Sequence, residues 1–537
     1  MKIRFRFCAL LLCVCMMFSL TSCGQILVSV LQSLVGLDGE TEWQEYTLTE
    51  DDVALFYEYL EKCEDRIFNN AGEFRINLAL NNLLTQLYYI NTQSRVAYIL
   101  YCMNVSGEKE SNDYLFSSAA AEEVYAAYME LCRQIYDSDC DYRDTFFADW
   151  GEADIKMMQS YSDEVAQKQT ENDALLLEYR DLDEENFDTE IYGLFNRLIA
   201  NNQEIAKLSG YEDYVTYAYE NVYVRDYAPG EIQAFRALVK KEILPLYQLY
   251  GERFANGYDQ LSEDEKNLLS AIMSEDYDIN EDMNYVLEYI DASKSTVSEV
   301  MGAALNSNTV IFTDSIHANP GAFTGYLIDY MMPVCYFGPG YQSAFTVVHE
   351  MGHYYAMCYN YDATMMMDLS EVHSQANEFL FLAYLETLLE EDVYDVLVDY
   401  YLYETMYDII LCTIVDDFEH RMYQSEALEA DAVDLVMQTV CAEYNLTEEH
   451  EIYQSAMEYW KYVVIETPVY YISYAVSSVA SLQIYAKAVQ DAEAGIDLYC
   501  RLVEDADATL GFCEILKECG LYTPFDAKAY DAIKGIQ

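Results

Sequence analysis

Six histidines occur in the 537 residues, and two of them flank one glutamate in the stretch His349-Glu350-Met351-Gly352-His353. The surrounding "QSAFTVVHEMGHYYAMCYN" has its apolar residues at helical spacing, which puts His349 and His353 one turn apart on one face. Two imidazoles so placed can converge on a single zinc ion, while Glu350 is offset to reach a water on that ion as a general base. Gly352 costs about 1 kcal/mol against Ala inside a helix, so its presence predicts a close approach by another element.

A catalytic zinc needs a third protein ligand and an open position for water. The extended H-E-x-x-H-x-x-G-x-x-H pattern would place a histidine at position 359, where the chain has Tyr359. Downstream, "DLSEVHSQANEFL" (Asp368–Leu380) starts another apparent helix, and Glu371 and Glu378 lie seven apart within it. Both can face the site; Glu371 is read as the third ligand and Glu378 as a group that orients a ligand histidine. His373 is the rival ligand, but it stands about 200° around the helix from Glu371. A packing or partly exposed histidine is the plainer account of it.

The elements that must position these residues are mainly helical. None of the seven prolines precedes Pro229, and the proline-free stretch is rich in Leu, Ala, Tyr, Glu and Gln. Segments such as Glu231–Tyr250 show apolar residues at three- and four-residue steps. Most of the 53 tyrosines belong to such stripes and read as core. The exception is Asn319–Gln342, "NPGAFTGYLIDYMMPVCYFGPGYQ", with three prolines and four glycines. Within it "YMMPVCYF" has the aromatic and branched content of a short strand. A small sheet beside the active-site helix is expected here.

"HEMGH" followed by "SEVHSQANE" resembles the thimet oligopeptidase and oligoendopeptidase F family of zinc peptidases, where H-E-x-G-H precedes an E-x-x-S-x-x-x-E helix. Glu371, Ser374 and Glu378 match that spacing. "AKLSGYEDY" (Ala206–Tyr214) is similar to the family's A-x-x-x-G-Y-x-x-Y signature, "NPGAFTG" to its G-A-F turn, and "ETPVYYISYAVSS" (Glu466–Ser478) to its P-x-Y-Y-x-x-Y stretch. The likeness covers roughly 186–530. It implies a two-lobed helical fold with a deep channel, one zinc ion held by His349, His353 and Glu371, and Glu350 as general base for hydrolysis of short unfolded peptides. By the same resemblance Tyr471 and Tyr474 are phenol donors to the reacting carbonyl oxygen, and the "YMMPVCYF" strand could pair with the substrate backbone. Many relatives carry a further histidine before the P-x-Y-Y stretch. Here "WKYVVIETPVYY" has none, the nearest upstream being His450, so either Tyr462 or Glu466 substitutes or the enzyme is slow or unusual in specificity. That departure keeps open a non-catalytic peptide- or metal-binding lipoprotein.

The amino terminus bears on where such chemistry would happen. Lys2, Arg4 and Arg6 precede the apolar run Phe7–Leu20, and Leu20-Thr21-Ser22-Cys23 resembles the bacterial lipobox. The expectation is a signal peptide over 1–22, an acylated Cys23 as the membrane anchor, and an extracytoplasmic chain; an uncleaved anchor helix is the plain alternative. The expected division is an N-terminal helical region, 23–185, and a catalytic domain, 186–537. A net charge of −65 repels nucleic acid and anionic head groups, so neither is an expected partner; short peptides are the partners the resemblance implies, and the chain is expected to be a monomer. The eleven cysteines beyond Cys23 form no C-x-x-C pair and read as buried small hydrophobes.

Overall fold

The computed structural model describes residues 43–148, 150–160, 162–180, 182, 186–273 and 279–536. The expected signal peptide, lipobox and Cys23 lie outside them. The chain divides into two units: residues up to Thr170 with Ala303–Pro339, and Glu171–Gly302 with Gly340 onward. The expected boundary after residue 185 falls inside the second unit. No composition shift announces the return of Ala303–Pro339 to the first.

In the first unit, the proline-free stretch forms three long helices: α1 (Glu50–Phe68), α2 (Glu73–Met103) and α3 (Glu108–Asp137). Thr49 opens α1 with a capping box closed by Asp52, which satisfies two end donors of the helix. Phe56, Leu83, Ile90, Val124 and Ile135 are all fully buried where the three helices meet. At about 1.5–3 kcal/mol for each large apolar side chain, this cluster holds the bundle.

A second face of α2 carries Val96 and Ile99, which pack with Trp43 against Leu327, Val334 and Tyr336. Those three come from a small sheet of β1 (Val310–Phe312), β2 (Ala322–Leu327) and β3 (Met332–Phe337), in the order β1-β3-β2. β1 runs parallel to β3, with Val310 opposite Cys335, and β2 runs antiparallel to it, with Ala322 opposite Phe337. The strand expected in "YMMPVCYF" is therefore present. β3 is the central strand, with β2 along its whole length on one side and β1 beside Cys335–Phe337 on the other, which leaves little of its backbone for the expected pairing with a substrate. All six of its residues are buried.

The second unit is helical throughout its described residues. After α4 (Phe187–Leu208), Pro245 enters the helix α5 (Leu244–Gln260) behind a π-helical turn at Val239–Ile243, which absorbs the lost donor and the ring. The remaining elements are α6 (Ala344–Asn360), α7 (Met367–Leu385), α8 (Glu391–Tyr423), α9 (Glu451–Glu466), α10 (Ile472–Gln490) and α11 (Ala492–Glu504). α7 packs against α6, α10 and α11, while α8 packs against α5 and α10. α7 is buried nearly all round, with Leu369, Val372, Ala376, Phe379 and Leu382 along one face and Asp368, Glu371, His373, Ser374 and Asn377 among its buried polar residues. Beneath α8, Arg236 donates to Asp416 at 2.6 Å and Asp417 at 3.0 Å, a buried ion cluster that His420 completes at 3.3 Å from Asp416.

Among the described residues no disulfide links the eleven cysteines, and eight of them are buried. No helix there is long and apolar enough to cross a membrane.

Candidate metal centre

Ser343 starts α6 by accepting a hydrogen bond from the Thr346 amide at 3.2 Å, and the helix then presents His349 and His353 one turn apart. The two rings lie 5.0 Å apart between centroids. Where α6 crosses α7 the backbones nearly touch. A Cβ on Gly352 would stand 2.6 Å from the His373 carbonyl oxygen and 2.8 Å from the Ser374 Cα. The close approach that this glycine predicted is the seam between the two helices.

That seam brings Glu371 to the histidines. One donor atom from each of His349, His353 and Glu371 lies within 4.8 Å of the other two. Glu371 Oε2 is 3.7 Å from His349 Nε2 and 3.8 Å from His353 Nε2. The opposite ring nitrogens are occupied: His349 Nδ1 is 2.6 Å from Glu378 Oε1, and His353 Nδ1 is 3.2 Å from Ser370 Oγ. Each Nδ1 is thus engaged by its own neighbour while both Nε2 atoms point at one carboxylate oxygen. Glu378 sits where the helical spacing expected it, and it is held in turn by the Tyr401 hydroxyl, which donates to Oε2. Ser370 and Tyr401 were not anticipated; nothing in their spacing marks them.

Burial would depress the His349 imidazole, but the carboxylates of Glu378, Glu350 and Glu371 override it and push it up to about 9. His353 moves the other way, lowered by burial and by the neighbouring His349 and His373. Burial raises the Glu371 carboxyl, against the opposing pull of His349, Tyr470 and Ser374. Two imidazoles and a carboxylate, buried and convergent, with occupied outer nitrogens, are a donor set that fits a divalent metal of the zinc type. Glu350 is buried on α6 beside His349.

His373, the rival ligand, is fully buried and lies outside this donor group. Neither ring nitrogen has a hydrogen-bond partner among the described residues, and burial pushes the imidazole down to about 3. It is a packing histidine of the α6–α7 seam.

Tyr471 and Tyr474 gather at the start of α10, with ring centroids 5.5 Å apart. The Tyr471 hydroxyl is 3.5 Å from that of Tyr459 on α9. The residue that touches the cluster is their neighbour Tyr470, whose hydroxyl donates to Glu371 Oε1 and whose ring packs edge-on to Tyr474. The P-x-Y-Y-x-x-Y stretch held the signal for Tyr470, since its first tyrosine was in view. Burial and nearby charge raise all three phenols, Tyr470 by Glu371 and Tyr471 by Tyr459, so each keeps its proton to donate. Of the suggested substitutes for the missing histidine, Tyr462 stacks on Phe187 at 5.3 Å and Glu466 faces Arg180 at 3.4 Å. His450 stands just before α9, and its Nδ1 accepts from the Thr447 amide at 3.0 Å in the loop upstream of that helix.

The fold is similar to that of several solved peptidases. A PZ peptidase A determined with an inhibitor matches with a TM-score of 0.74 at 15% identity, over 91% of this chain and 96% of that one. A Bacillus anthracis str. Ames protein assigned as an oligoendopeptidase F gives 0.71 at 16%, over 91% and 95%. The oligoendopeptidase-F of Enterococcus faecium gives 0.59 at 14%, over 90% and 96%. No protein-family model matches the chain, and no curated protein does. The mainly helical class with a small sheet expected from the sequence is the one observed, and the structural matches lie at low identity.

Proposed function

We propose that this chain is a lipid-anchored, extracytoplasmic zinc metalloendopeptidase that hydrolyses short unfolded peptides. The observation that carries the reading is the convergence of His349 Nε2, His353 Nε2 and Glu371 Oε2 beside a buried Glu350, on a fold shared with oligopeptidases. His349, His353 and Glu371 would hold the ion, with Glu378 and Ser370 fixing the two imidazoles. Zinc, when bound, supplies a Lewis acid that activates water and polarises a peptide carbonyl. The Glu350 carboxylate takes a proton from the attacking water and returns it to the nitrogen of the leaving amine. The phenols of Tyr471 and Tyr474 donate to the carbonyl oxygen as negative charge develops there.

The anchoring half of the proposal rests on the sequence Leu20–Cys23. Labelling with a radioactive fatty acid should mark the full-length chain and not its Cys23→Ser variant; equal labelling would remove the anchor.

The peptidase half is tested by expressing residues 24–537 and measuring bound zinc alongside cleavage of quenched-fluorescent peptides, beside Glu350→Gln. Zinc near one per chain, with cleavage lost in the variant, supports the proposal. A second reading, a lipoprotein that captures peptide or metal without cutting, is favoured by the engagement of His450, Tyr462 and Glu466 elsewhere. Zinc without cleavage in either form would select it.

A further inference from the structure

Two residues in the second unit, Val224 and Val469, adopt left-handed backbone conformations, with φ of 53° and 62°. For a β-branched side chain this is a strained position, and strain of this kind persists only where the surroundings over-determine it. Val224 immediately precedes Arg225, and Val469 immediately precedes Tyr470.

The two outliers meet at one guanidinium. Arg225 is buried, and its Nη1 donates to the Val469 carbonyl at 3.0 Å. Its Nη2 donates to the Tyr470 carbonyl at 3.2 Å and to Ser473 Oγ at 2.8 Å. Its Nε donates to Asp368 Oδ1 at 3.3 Å, and Ser473 Oγ also donates to that carboxylate, at 2.6 Å. Asp368 lies one turn before Glu371 on α7. From the other side, the Val469 amide donates to Glu419 Oε1 at 2.8 Å.

One side chain therefore ties the base of the ligand helix to the turn that launches α10. Tyr470 is the link between them, since its carbonyl rests on Arg225 while its hydroxyl donates to Glu371. We propose that Arg225 is a positioning residue of the metal centre, holding the strained Val469 turn so that Tyr470 fixes the Glu371 carboxylate for the ion. The inference rests on the metal site proposed above.

Lysine keeps the charge opposite Asp368 but cannot reach two carbonyls and a hydroxyl at once. The test measures zinc affinity by chelator competition, the visible absorption of the cobalt-substituted chain, and the thermal midpoint. The chains compared are wild type, Tyr470→Phe, Arg225→Lys and the double variant. Tyr470→Phe and Arg225→Lys should each weaken zinc binding about tenfold, in the range of lost outer contacts at metal sites, and shift the cobalt bands alike. In the double variant the loss should stay near tenfold, because the second change removes nothing further. Losses that multiply to about a hundredfold would make Arg225 merely structural and overturn the proposal. So would a Tyr470→Phe chain whose zinc affinity and cobalt spectrum equal wild type, an outcome that decides even if Arg225→Lys fails to fold. A wild-type chain that binds no metal would overturn the site itself and this inference with it.

Discussion

At the scale of single residues, the proposed metal centre would separate groups that hold from a group that reacts. Glu350→Gln should retain zinc while peptide cleavage falls about 10²–10⁴-fold, the usual worth of a positioned general base. Glu378→Gln should act on binding instead, weakening zinc about 10–100-fold by loosening His349. Titration with a chelator beside a rate assay separates the two, and equal zinc affinity in Glu378→Gln would contradict its orienting role. His349, His353, Glu371 and Glu378 were legible because helical spacing alone puts them on a face. Tyr470 was not. It precedes the first turn of α10, behind the left-handed Val469, so no helical geometry says where its hydroxyl points. Arg225 and Asp368 were hidden for a related reason, since their pairing spans 143 positions and leaves no local pattern.

At the scale of elements, the α6–α7 seam and the α8 ion cluster make opposite demands. Gly352→Ala should gain about 1 kcal/mol in helix propensity yet lose about 1–3 kcal/mol by forcing α6 from the α7 backbone. Net destabilisation with weaker zinc binding is expected in a thermal melt and chelator titration; a stabilised variant with unchanged affinity would show that the seam yields freely. In the ion cluster, burial alone would raise the Asp416 carboxyl, but His420 and Arg236 hold it well below the usual carboxylate range. A carboxyl depressed in the folded state stabilises above its unfolded pKa, about 3.9, and that contribution disappears as pH falls through the folded value. Asp416→Asn should therefore cost about 3–5 kcal/mol at pH 7, and the gap should narrow below about pH 4. Urea unfolding at pH 7 and pH 3 measures it, and a gap independent of pH would contradict the assignment. The sheet shows the limit of sequence reading at this scale. Composition marked β3 as a strand, but its central place depends on Val310–Phe312, three residues too short to announce themselves.

For the whole molecule, the net charge of −65 is the dominant long-range term. Peptides rich in Lys or Arg should show a kcat/KM about tenfold or more above Asp/Glu-rich peptides of matched length at low salt, and the ratio should collapse near 1 M salt. Equal turnover at low salt would remove charge as a selector. The charge was legible at once, as was the helical class. The division into units was not, because Ala303–Pro339 joins the first unit through packing that only three dimensions reveal.

That return has a consequence for how the chain comes into being. Val96, Ile99 and Trp43 are complete only when Leu327, Val334 and Tyr336 cover them, and the Trp43 indole nitrogen donates to the Asn308 carbonyl 265 positions away. During synthesis the first helices emerge long before their apolar partner does, at ribosomal rates of about 5–20 residues per second. For that interval the nascent chain presents an uncovered greasy face on α2. A chain released after residue 170 would present it permanently, and should aggregate where the same chain with 303–339 joined to it by a flexible Gly/Ser linker stays dispersed.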